Sequence, residues 1–160
     1  DDFVMKGLRE MDGKQFKSVT EEDALPQTEE EKKAAEEKAE AGKSVLEAVK
    51  EALGDQVKEV RISAILKSGA CCLSADGPVS IEMEKYMSKV EGGQPMKADR
   101  VLELNADSAP FAALKKAVDA GDKDTVAKYS KLLYAQALLL AGLPLEDPAE
   151  YTGLVCSLMI

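Results

Sequence analysis

The residues able to do chemistry are few in kind. Three cysteines, Cys71, Cys72 and Cys156, and 30 carboxylates stand beside a complete absence of histidine. Histidine is the commonest general base and the commonest metal ligand, so both roles lose their usual occupant. Without an imidazole partner, a thiol has no ready base to make it a nucleophile. Cys71 and Cys72 are adjacent in a strand-like run, and successive strand side chains point to opposite faces, so the pair does not converge on a metal. Both read as small apolar strand residues, and Cys156 falls on an expected helix. Gly42-Lys43-Ser44 has the closing residues of a phosphate-binding loop. That motif needs a glycine at position 37, which is Glu37 here, and a strand upstream, where this chain has a helical pattern. The carboxylates lie in charged runs that read as solvated faces, with no pair set to perturb a pKa. No catalytic, cofactor-binding or metal-binding residue is expected, and the chain is expected to have no enzymatic activity.

The 160 residues are enough for one domain with a real core. Aromatics are only 4% and tryptophan is absent, so that core must be built from Leu, Val, Ala and Met. A formal charge of −9 argues against nucleic acid and against an anionic membrane as partner. No apolar run reaches the ~18 residues that a membrane span needs. The cysteine usage suits a reducing compartment. Asp1 follows nothing resembling a start, and the chain reads as a piece of a longer protein.

A small separate element is expected over residues 1–25. Phe3, Val4 and Leu8 could line a short helix, Met11-Asp12-Gly13-Lys14 is a turn, and Gln15 to Val19 reads as a strand. Glu21-Glu22-Asp23 and Pro26 mark a boundary, leaving 26–160 as the main domain. Thr28 with Glu31 forms a capping box that opens a long helix. Residues 21–40 hold 9 acids and 3 bases, a solvated arm. Val45, Leu46, Val49, Ala52 and Leu53 then form one apolar stripe before Gly54. Strands are expected at about 57–66, 70–75 and 100–105, with a short helix capped by Ser80 between the last two. Helices opened by Ser108-Pro110, by Asp122 or Asp124, and by Asp147-Pro148 complete an α+β, helix-rich fold around a three-stranded sheet.

Two apolar features exceed what a core requires. The helix ending at Ala141 carries Val126, Tyr129, Leu132, Leu133, Ala137, Leu138, Leu139 and Leu140 around most of its circumference. A helix apolar nearly all round must be covered on more than one side. The last helix, expected to run to the end of the chain, carries Tyr151, Leu154, Val155, Leu158 and Met159 at i, i+3, i+4, i+7 and i+8. Core burial alone accounts for these stripes less well than a helical subunit interface, with Leu133, Leu140, Leu154, Val155, Leu158 and Met159 in it. The second feature is SIEMEKYMSKV, whose Met83, Tyr86, Met87 and Val90 share one face. Such a stripe is ordinarily core, yet the helix is short and its thioethers suit a surface that fits many apolar partners.

The strings LGDQVKEVRIS, SADGPVSIEMEKYM, RVLELN and LLYAQALLLAGLPLEDPAEY, in this order and spacing, resemble the C-terminal dimerisation domain of the heat shock protein 90 chaperones. The bacterial HtpG-type branch fits best, since the acidic, partner-docking tail of eukaryotic cytosolic members is absent. DDFVMKGLREMDGKQFKSVT resembles the end of that family's middle domain, so the resemblance covers essentially the whole chain. It implies a cytoplasmic, ATP-driven, homodimeric stress-response chaperone that binds unfolded client proteins and co-chaperones. ATP and Mg would belong to an N-terminal domain outside this chain. The last two helices of each subunit would form the dimer contact, an intermolecular four-helix bundle. The helix after the Asp-Gly-Pro turn would be a client patch of Val79, Met83, Tyr86 and Met87, only part of the client site, since the middle domain's Trp is missing. The alternative is a helical dimerisation or scaffold module, without chaperone function, whose Met helix is ordinary core.

Overall fold

A computed structural model of the chain describes residues 10–11, 14–15, 29–90 and 96–159. Strands β1 (Glu10–Met11) and β2 (Lys14–Gln15) pair antiparallel, Met11 opposite Lys14, and Asp12 and Gly13 of the expected turn lie outside the described residues. The expected helix at Phe3, Val4 and Leu8, the continuation of the strand to Val19 and the Thr28 cap lie outside the described residues. The long helix α1 runs Glu29–Leu53. Its buried stripe of Val45, Val49 and Leu53 faces the core, with Leu46 and Ala48 at the margin. Gly54 then takes a positive φ of 55° and starts a single 3-10 turn, Gly54–Gln56. Only glycine adopts that conformation without cost, which explains why the helix stops there.

Three strands follow: β3 (Glu59–Ile62), β4 (Cys71–Ala75) and β5 (Arg100–Leu104). β5 lies in the middle, parallel to β3 and antiparallel to β4. The register places Val60 and Leu73 beside Leu102, and Ile62 and Cys71 beside Leu104. Side chains alternate along a strand, so these residues share the face that packs on the helices. β3 is shorter than the expected 57–66. The Ser63 hydroxyl accepts from the backbone N–H groups of Ile65 (3.4 Å) and Leu66 (3.3 Å), and this local turn draws the chain out of the ladder.

Helix α2 (Ile81–Met87) joins β4 to β5, with the Ser80 hydroxyl accepting from Met83 N–H at 3.2 Å. Its expected continuation to Val90 is instead a tightened turn, Lys89 N–H to Tyr86 O and Val90 N–H to Met87 O. Three capped helices complete the fold. They are α3 (Ala109–Asp119) with Ser108, α4 (Lys123–Ala141) with Asp122, and α5 (Pro148–Ser157) with Asp147. Each cap side chain accepts from an N–H three residues on. α4 ends at Gly142, left-handed at φ 72°. α5 stops short of the chain end in a turn from Leu158 to Val155 and Met159 to Cys156.

Gly42 lies inside α1, where the backbone N–H groups of 42–44 are committed to the helix and cannot cradle a phosphate. The glycine serves packing instead. A Cβ there would sit 3.0 Å from the Phe111 ring of α3. Gly42→Val should therefore lower the melting temperature through overpacking, at about 1–3 kcal/mol, despite removing a helix glycine. The exposed Ser44→Ala should leave it unchanged within error in the same thermal scan.

Candidate functional site

The client patch expected on α2 is built by an arrangement that the Met periodicity does not announce. Of the seven residues in α2, only Glu84 is buried, at 8% exposure. Met83, Met87 and Val79 are half-buried, and Tyr86 is 57% exposed. The stripe therefore skirts the core rather than filling it. Val90, expected on the same face, lies beyond the helix and is exposed.

What holds α2 down is charge. Glu84 receives Arg100 Nη2 at 2.5 Å and the Ala98 N–H at 3.0 Å. Arg100 is 7% exposed, and its Nη1 reaches Tyr134 Oη of α4 at 2.5 Å and Glu146 of the α4–α5 connection at 3.2 Å. The Tyr134 hydroxyl in turn donates to Gln56 O at 3.2 Å, tying in the turn after α1. Burial alone would lower the Arg100 pKa. The hydrogen bonds to Glu84 and Tyr134 overcome this and raise it above its ordinary value. Burial raises Tyr134, against the nearby guanidinium.

A second buried charge lies on the other face of the same strand. Glu103, 5% exposed, accepts from Arg61 Nη2 (2.8 Å), Ser63 Oγ (2.8 Å) and Ser74 Oγ (2.7 Å). Cys72 Sγ donates to it at 3.7 Å. Burial pushes this carboxyl up, but the Arg61 and serine hydrogen bonds outweigh that and hold it below its ordinary value of 4.5. Glu84 and Glu103 correct the expectation that every carboxylate is solvated. Arg100 shares the parity of Leu102 and Leu104, and that was the readable signal of a buried charge in this strand.

The Cys71 and Cys72 thiols are held in their neutral form. Burial pushes Cys71 up to about 11, and burial with the adjacent Glu103 charge pushes Cys72 up to about 12. Both are protonated at neutral pH and so poor nucleophiles. Among the described residues, no group of three or more Cys, Asp or Glu is arranged to hold a metal ion. No helix there is long and apolar enough to cross a membrane.

The expected interface residues divide. Leu133 is only 5% exposed and belongs to the chain's own core, because α4 packs against the sheet along this face. Leu154 and Val155 are half-buried. Leu140, Leu158 and Met159 are 73%, 55% and 78% exposed, and Leu139 joins them at 49%. Leu158 also lines an apolar groove of about 250 Å³ with Pro110, Tyr129, Leu132 and Leu133. α5 itself buries no residue and is linked to α4 by a Lys131–Glu150 ion pair at 2.6 Å.

The depressed Glu103 pKa sets a pH dependence. Its stabilising effect is fully present above about pH 4.5, the unfolded value, and is lost as pH falls through the lower folded value. Glu103→Gln should cost about 1–3 kcal/mol at pH 7. It should also flatten the loss of stability below pH 4.5 relative to wild type, as read by denaturant melts at successive pH values.

Comparison with known proteins places the chain. The profile of the family described as Hsp90 protein matches residues 1–160. The chaperone protein HtpG of Bacillus subtilis is 43% identical over 160 residues, covering 100% of this chain and 25% of that protein. That of Clostridium perfringens is 45% identical over 159 residues, covering 99% of this chain and 25% of that protein. The chain spans about a quarter of the length of these relatives. On the match along its full length, this chain belongs to the Hsp90 protein family.

Proposed function

We propose that residues 26–160 are the C-terminal dimerisation and client-binding domain of an ATP-dependent cytoplasmic chaperone. Residues 1–25 would be the end of the preceding domain. The carrying observation is α5. A ten-residue helix is marginal in water by itself, and this one buries none of its residues within the chain while holding Tyr151, Leu154, Val155, Leu158 and Met159. A second copy supplies the missing cover. The exposed Leu139, Leu140, Leu158 and Met159 would meet their own counterparts across a two-fold axis, in a four-helix bundle of two α4 and two α5. Leu154 and Val155 complete that surface, and Leu133 supports it from below. The relatives' name, chaperone protein HtpG, supports the client reading of Val79, Met83, Tyr86 and Met87. On the family resemblance, ATP binding and hydrolysis would fall to a domain outside this chain, and Gly42-Lys43-Ser44, inside α1, offers phosphate no free N–H groups. Co-chaperones are further partners on this reading.

Two experiments test the two halves. Leu154→Asp with Leu158→Asp places carboxylates in the bundle at several kcal/mol each. Equilibrium sedimentation at micromolar concentration should fall from twice 17.2 kDa to 17.2 kDa. A wild type that is monomeric there, or a double variant still dimeric, removes the dimer assignment. For the patch, Met83→Ser with Met87→Ser should weaken binding of a permanently unfolded polypeptide such as reduced, carboxymethylated α-lactalbumin by about tenfold, with little change in melting temperature. A loss of ~2–5 kcal/mol of stability per substitution would mark both residues as core and favour the scaffold alternative.

A further inference from the structure

The position of α2 is set at a distance from its own apolar residues. Lys85 of α2 lies against the end of α4: a Cβ on Gly142 would be 3.3 Å from the Lys85 Nζ and Cε atoms. There the ammonium faces the carbonyl end of the helix, a favourable charge–dipole arrangement. Beneath it, Glu84 of α2 holds Arg100, and Arg100 holds both Tyr134 of α4 and Glu146 of the α4–α5 connection. Glu84 and Glu146 share one guanidinium from opposite sides. Any movement of the α4–α5 connection that takes Glu146 or Tyr134 away from Arg100 changes the acceptor set of a buried cation. Glu84 is among the acceptors that remain, so its bond must adjust.

We propose that Arg100 is a positioning residue that couples the placement of the Met-bearing helix α2 to the α4–α5 helix pair. Lysine could not substitute for it, since one ammonium cannot fork to Glu84, Tyr134 and Glu146 in fixed directions, whereas a guanidinium does so with its planar set of donors. Tyr134 is 4% exposed and meets Arg100 through its hydroxyl, which makes it the place to cut the link. The functional consequence rests on the client and dimer reading above. A coupling of this kind is reciprocal, so whatever occupies the α2 patch would bias the α4–α5 pair by the same factor.

The test is hydrogen exchange on the whole 160-residue chain. The reporters are the amides of Glu84 and Ser88, bonded within α2, and of Ala98, bonded directly to the Glu84 carboxylate. Tyr134→Phe deletes one hydroxyl and little volume. It should speed exchange at these three amides by about tenfold, roughly what one hydrogen bond to a charge is worth, while Val45 and Val49 of α1 stay within twofold of wild type. Arg100→Lys keeps a charge beside Glu84. It loses the fork to Tyr134 and Glu146, so it should speed exchange at the α2 reporters about as much as Tyr134→Phe does, and also at Leu143, next to the connection. Reporters within twofold of wild type in Tyr134→Phe would overturn the coupling. So would an Arg100→Lys chain whose α2 reporters stay within twofold of wild type. Tyr134→Phe should also weaken binding of carboxymethylated α-lactalbumin about threefold. A wild type that binds no such probe counts against the client reading alone, because the exchange readout needs no client.

Discussion

A charge removed from water must find partners for every face it shows to the protein, and strand β5 buries two. Arg100 and Glu103 are three residues apart, an odd number, so the alternation of the strand sends them to opposite faces. Each then dictates what lies next to it. Glu103 draws its donors from within the sheet, Arg61 and Ser63 on one side and Ser74 with Cys72 on the other. A one-residue slip of either neighbouring strand would turn those donors to the wrong face and leave a bare carboxylate behind. The ion cluster therefore specifies the same register as the apolar face, from the opposite side of the sheet. Removing one partner of the set leaves the others without their hydrogen bonds, at about 1–3 kcal/mol, more than the intact set contributes relative to an apolar replacement.

Arg100 does the equivalent work between layers. Its partners come from a helix, from α4 and from a connection, elements 16, 34 and 46 residues away in sequence. Around it the apolar core is ordinary: Val45 and Val49 of α1, Leu102 and Leu104 of β5, Leu114 of α3 and Leu138 of α4 are all nearly fully enclosed. That core fixes α1, α3 and α4 on the sheet and meets α2 through the partly buried Ile81, while the one fully buried side chain of α2 is a carboxylate. The two halves of the molecule are thus secured by different physics, the larger by packing and the smaller by a polar tether.

This division also decides what could be read from the sequence. The helices were legible because their signals are local. Ser80, Ser108 and Asp147 cap helices three residues before the N–H groups they accept, and Gly142 ends α4 in the left-handed conformation that its position after the last apolar residue suggested. Alternation in Val60, Ile62, Leu102 and Leu104 made two strands and the sheet's inner face visible. The end of β3 was not, because it depends on a serine choosing a local turn over the ladder. The buried charges were hidden for the opposite reason. Glu103 looks like any solvated glutamate until residues 61, 63 and 74 are brought to it, and no window of neighbouring residues contains them. Arg100 was half visible, since it falls in phase with two leucines of an inner face. Leu133 was assigned to an intermolecular surface because α4 is apolar nearly all round. Circumference alone cannot say which leucines meet the chain's own sheet and which are left at its edge.

The polar tether explains how a methionine stripe can stay half-exposed on an ordered helix. Seven residues are too few to hold a helix by intrinsic propensity, so something in α2 must be anchored. Had the anchor been Met83 or Met87, the residues suited to adaptable apolar contact would have been consumed in fixing the helix. With Glu84 as anchor, and Ser80 satisfying the first turn, the thioethers remain at the margin and Tyr86 outside it. An apolar anchor would be insensitive to what happens at α4 and α5. A carboxylate sharing one guanidinium with Tyr134 and Glu146 cannot be, because the strength of its bond depends on how many acceptors that guanidinium has.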